Sequence, residues 1–177
     1  LKYLLPVIEW LEEENNIIYD GDNGSFRLIT YYYIINMLIS TGDENYSKIY
    51  LKNASLYISN NKEKQLNPII KNYLIGFKYF YERNYPKALK YFKKVDDISK
   101  PDSDFIAIQS DALISIAIIN LSQKKFDETF RIVKKVTQLN NPKAQMDGYL
   151  LLSLIGMLND DPKLIEEGLR AVININE

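Results

Sequence analysis

The sequence predicts an all-α chain built from paired helices, and three observations carry that prediction. Apolar residues recur at helical spacing along most of the length, as in Leu4, Leu5, Val7, Ile8 and Leu11. Only seven Gly and six Pro occur in 177 residues, too few for a sandwich of many turns. One helix–turn–helix pattern also returns further along the chain. At this length residues 1–177 read as a single domain with a continuous core.

Leu4 to Asn15 reads as the first helix, with Pro6 in its first turn. Asp20-Gly21-Asp22-Asn23-Gly24 is a turn signal, leaving a β-hairpin or a loop over residues 17–28, and the helical spacing of Tyr31, Ile34, Ile35 and Leu38 favours the loop. Ser25 would cap a second helix running to about Ser40. Thr41-Gly42-Asp43 breaks it, and Tyr46, Ile49, Tyr50, Asn53, Leu56 and Tyr57 mark a third helix ending in the polar stretch Ser59 to Gln65. Asn67-Pro68 supplies an N-cap and a first-turn proline for the next helix.

The stretch from Asn67 to Pro101 then sets a small residue, Gly76, an aromatic three on, Tyr79, an alanine twelve on, Ala88, and an aromatic sixteen on, Phe92. Ala117, Asn120, Thr129 and Val133 fall at the same increments, 41 residues later, so about seven extra residues are to be absorbed near Ile98 to Phe105. A third copy starts near Asn141-Pro142, where Asp161-Pro162-Lys163-Leu164 echoes Tyr85-Pro86-Lys87-Ala88. A fourth covers Thr30 to Leu56 with Ile49 in the alanine's place. Gly156 and Gly168 lie in the middle of helices, each costing about 1 kcal/mol against Ala unless close packing offsets it.

Over residues 69–101, and more weakly over 110–140, this pattern resembles the tetratricopeptide repeat, a helix–turn–helix unit of about 34 residues. Asn72 stands where that family usually has Trp. The resemblance implies an α-solenoid of antiparallel helix pairs, about four of them, with one helix more. It also implies a concave groove lined by the first helix of each pair. Carried onto this sequence, the groove residues are Tyr31, Ile34, Ile70, Tyr73, Phe77, Tyr81, Asp111, Ile114, Ile118, Gln145 and Tyr149, with Phe80 beside them. Relatives that clamp acidic chaperone tails use Lys and Asn on this wall, where Tyr73 and Phe77 stand here.

Several chemistries are excluded by composition. With no Cys there are no disulfides, thiolates or sulfur-bound metals, which fits a reducing, cytoplasmic setting. The lack of His removes the histidine triads and nearly all zinc sites. An EF-hand counted from Asp20 would need Gly and Glu where Ser25 and Tyr31 stand. Neither the P-loop nor the dinucleotide fingerprint occurs, and pairs such as Asp96–Asp97 and Glu166–Glu167 are neighbours on one helix rather than facing carboxylates. No apolar run approaches the length that spans a bilayer. No cofactor, metal or catalytic residue is therefore expected. Four Asn-x-Ser/Thr sequons, such as Asn53-Ala54-Ser55, are those an Asn-rich chain produces by chance.

Charge is uneven although the net charge is −1. Residues 62–100 hold ten Lys/Arg and four acids, whereas residues 1–24 hold Lys2 against six acids. Lys87, Lys90 and Lys94 share one helix face, read as the solvated outer face of a repeat rather than a nucleic-acid surface. The expected function is a non-enzymatic protein- or peptide-binding module acting through its groove, as the sensor or scaffold part of a regulator. The alternatives are a structural subunit whose groove packs on another protomer, or a carbohydrate-binding protein, for which Trp10 is the only Trp. The chain opens on Leu1, as a piece of a longer protein would.

Overall fold

The computed structural model describes residues 25–61, 66–99 and 104–175, with the side chains of Ser25 and Phe26 excepted. The predicted first helix, the loop or hairpin after it and the cap at Ser25 lie outside what is described. Eight helices are described: α1 (Ser25–Ser40), α2 (Glu44–Asn60), α3 (Pro68–Tyr81), α4 (Tyr85–Ile98), α5 (Ile106–Ser122), α6 (Phe126–Thr137), α7 (Pro142–Leu158) and α8 (Pro162–Ile175). No strand occurs among the described residues. The fold is all-α, with helices packed in adjacent pairs, as a helical-repeat solenoid requires.

The helix starts follow local chemistry. Asn67 Oδ1 accepts from the amides of Ile69 and Ile70 at 3.0 and 3.3 Å, and Pro68 occupies the first turn of α3. Asn141 Oδ1 accepts from the Ala144 amide at 2.9 Å ahead of Pro142. Asp43 does the same for α2, accepting from Tyr46 N at 3.1 Å.

The turns within the pairs share one geometry. Gly42, Arg83, Lys124 and Asp160 have φ of 76°, 56°, 58° and 53°, the left-handed region. In each case the next residue's amide donates to the carbonyl five residues back: Asp43 to Leu38, Asn84 to Tyr79, Lys125 to Asn120 and Asp161 to Gly156, all within 2.8–2.9 Å. This is the Schellman closure of a helix C-terminus. The spacings between these turns are 41, 41 and 36 residues, so the turns set the register of the repeats.

That register corrects one expectation. Five residues beyond the left-handed residue come Ser47, Ala88 and Thr129, all buried without exposure. Ile49, placed at the small position from the sequence, is half exposed instead. The hydroxyls of Ser47 and Thr129 are tolerated inside because each donates to a carbonyl three or four residues back, Glu44 O at 2.9 Å and Lys125 O at 2.8 Å. Similarly, Asp161-Pro162 lies one residue ahead of Tyr85-Pro86 in this register.

The chain divides into two compact units, Leu1–Asn84 and Tyr85–Glu177. In the first, α1 packs on α2 and α3, and α2 on α3, around Leu28, Ile35, Leu38, Leu51, Ile70 and Leu74. In the second, each helix from α4 to α8 packs on the next, and α5 also meets α7. Ala117, Val133, Leu152 and Ile155 form its central cluster.

The glycines of α7 and α8 explain their own presence. A Cβ on Gly156 would lie 2.9 Å from the Ile165 amide, and one on Gly168 would lie 2.6 Å from the Tyr149 carbonyl and closer still to Ser153 Oγ. The two helices approach so nearly that no side chain fits between them.

Candidate functional site

The predicted wall divides by exposure. In the first unit Tyr31, Ile34, Ile70, Tyr73 and Phe77 are buried, against the expectation that they line an open groove. Their aromatic surface is used internally. Tyr32 meets Tyr73 edge-on at 5.3 Å, Tyr73 stacks on Phe77 at 5.5 Å, and Phe77 meets Phe80 at 5.9 Å and Tyr81 at 5.3 Å. Tyr31 turns toward α2, its ring centroid 6.5 Å from Tyr50 and 6.3 Å from Tyr57. Tyr81 is half-buried, its hydroxyl 3.4 Å from Ser47 Oγ.

In the second unit the equivalent positions are open. Counting back from the turn residue, Ile70, Tyr73 and Phe77 of α3 correspond to Asp111, Ile114 and Ile118 of α5, and to Asp147, Leu150 and Leu154 of α7. Ile114 is half-buried, while Ile118, Leu150 and Leu154 are 41%, 46% and 41% exposed. Met157 continues the α7 row at 54%. Helical phase explains the row: Gly148, Leu152 and Ile155 point to the core, so residues 150, 154 and 157 point away from it.

A charged group closes one end of these rows. Lys143 Nζ lies 2.7 Å from Asp147 Oδ2 and 4.0 Å from Asp111 Oδ1, joining α7 to α5. Burial pulls the Lys143 ammonium down, yet the hydrogen bond it donates to Asp147 and the charges of Asp111 and Asp147 outweigh it and hold the group above the ordinary lysine range. Two carboxylates around one ammonium leave this end with an excess negative charge.

Gln145 and Tyr149, expected on the wall, lie elsewhere. Gln145 Nε2 donates to Leu139 O at 3.0 Å and braces the connection before α7. Tyr149 packs against the central cluster. The physical reason is phase: the last turn comes 36 rather than 41 residues after its predecessor, so the open face begins at Asp147 and Leu150. Sequence reasoning therefore missed Lys143, Asp147, Leu150, Leu154 and Met157. The signal lay in Asn159-Asp160-Asp161, a turn whose alignment with Gln123-Lys124-Lys125 gives the right register.

Comparison with known proteins finds no matching family model, no matching curated protein and no matching solved structure.

Proposed function

We propose that the chain is a protein- or peptide-binding module that holds a partner segment against the open face of α5 and α7, as the sensor or scaffold part of a regulator. The observation that carries this reading is the exposed apolar row of Ile118, Leu150, Leu154 and Met157, flanked by half-buried Ile114. Contiguous exposed apolar residues on two adjacent helices mark an interaction site more often than single ones do. Leu150, Leu154 and Met157 follow helical spacing, which suits the i, i+4, i+7 anchors of an amphipathic partner helix. The Asp111–Lys143–Asp147 group would meet a Lys or Arg at one end of that segment, fixing its direction. The resemblance to tetratricopeptide repeats supports the same face, since α5 and α7 are first helices of their pairs. The face supplies apolar contact and orientation, and the reading assigns it no reaction.

Selection from a displayed random-peptide library tests it. The enriched peptides are to carry apolar residues at helical spacing and a terminal Lys or Arg. Ile118→Asp/Leu150→Asp, with an unchanged circular dichroism spectrum, is to lose them. Peptides retained by that variant would move the site elsewhere, and a concentration-dependent dimer abolished by the same change would assign the face to a second copy.

A further inference from the structure

The outward sides of α4 and α6 repeat one cationic motif. Lys90-Tyr91-Phe92-Lys93-Lys94-Val95 and Arg131-Ile132-Val133-Lys134-Lys135-Val136 share the pattern basic-x-x-Lys-Lys-Val at a spacing of 41, the same as that between the turns at Arg83 and Lys124. Phe92, Val95, Val133 and Val136 are fully buried, so helical phase turns the six cations outward, and all six are exposed.

The two rows are joined at one point. Lys135 Nζ donates to both oxygens of Asp96, at 2.5 and 2.7 Å, tying α6 to α4. Gln109 Nε2 donates to the same carboxylate at 3.1 Å, which fixes it from α5. Within each row one lysine is held over a ring: Lys94 at 5.4 Å from the Tyr91 centroid and Lys134 at 4.7 Å from Phe130. Such contacts restrict the ammonium groups before any ligand arrives. The helix dipole favours cations in a last turn only. Lys90 and Arg131 lie upstream of the last turns of α4 and α6, so the dipole does not explain the whole motif.

The geometry points to this paired face as a docking site for an acidic protein segment, a run of Asp and Glu on a partner. Exposed Asp97, Asp127 and Glu128 interrupt the cationic field. Lys135 is already held by Asp96, and Arg131 lies 3.7 Å from Glu128, where a partner carboxylate would compete for it. A continuous phosphodiester strand would have to pass over these acids, whereas discrete carboxylates on flexible side chains reach Lys90, Lys93, Lys94, Arg131 and Lys134 between them. This site is separate from the α5/α7 face and does not rest on it.

Fluorescence anisotropy with a labelled oligoglutamate peptide is the test. Binding is expected to saturate at about 50 mM salt and to weaken steeply by about 300 mM. Arg131→Glu/Lys134→Glu is expected to weaken it roughly tenfold or more, while Lys52→Glu/Lys163→Glu, an equal change of net charge elsewhere, leaves it within about twofold. Should the first variant fail to fold by circular dichroism, Arg131→Gln/Lys134→Gln replaces it with the same expected direction. No saturable binding, equal weakening by both double variants, or tighter binding of an oligothymidylate of matched charge would each overturn the assignment.

Discussion

Arg83, Lys124 and Asp160 hold a backbone conformation that costs an L-residue about 1–2 kcal/mol, and nothing but the helix closure requires it. Glycine removes that cost while adding freedom to the unfolded chain, so Lys124→Gly is expected to raise stability by about 0.5–1 kcal/mol in a denaturant titration. The reverse holds at Gly168. Alanine there gains about 1 kcal/mol of helix propensity but drives a methyl into the Tyr149 carbonyl and the Ser153 backbone, so Gly168→Ala is expected to destabilise by about 1–3 kcal/mol net. Thermal unfolding followed at 222 nm reads both. Lys143 has a raised pKa, so its pairing contributes fully below the unfolded lysine value of about 10.4 and is lost only as pH rises through the folded value. Because the side chain is mostly exposed, Lys143→Met is expected to change the unfolding free energy by no more than about 0.5 kcal/mol across pH 6–9.

At the scale of elements, helices were legible because their boundaries are written in residue types that act locally. Asn67-Pro68 and Asn141-Pro142 start α3 and α7 where the sequence placed them, since a cap needs only its own side chain and the next three amides. Asn67→Ala and Asn141→Ala are each expected to cost about 1 kcal/mol, readable as a shifted urea midpoint with an unchanged slope. Register was less legible. The sequence puts Ile49 at the small position of the first pair, whereas the buried residue there is Ser47, whose polarity gives no sign that its hydroxyl is satisfied by Glu44 O. Exposure was least legible of all. Tyr73 and Leu150 occupy equivalent places on their helices, yet one is buried and the other open. Whether such a position is covered depends on what neighbouring elements bring to it, which periodicity does not encode. Tyr32 of α1 brings a ring to Tyr73, whereas α5 brings the carboxylate of Asp111 to the face that holds Leu150.

At the scale of the molecule, the two units use the same helical unit for different ends. In residues 1–84 the first-helix face of α3 is consumed by an aromatic core, so Tyr73→Ala is expected to destabilise by about 3–5 kcal/mol. In residues 85–177 the corresponding face of α5 and α7 stays apolar and open, and substitutions there are expected to change binding with little effect on stability. The central claim is that this face is where a partner sits. A photo-crosslinking side chain placed in turn at Leu150, Leu154 and Tyr33, all exposed, tests it most directly. The account predicts one discrete cross-linked partner from positions 150 and 154 and none from position 33. The same partner captured equally from Tyr33, or from neither leucine, would contradict it.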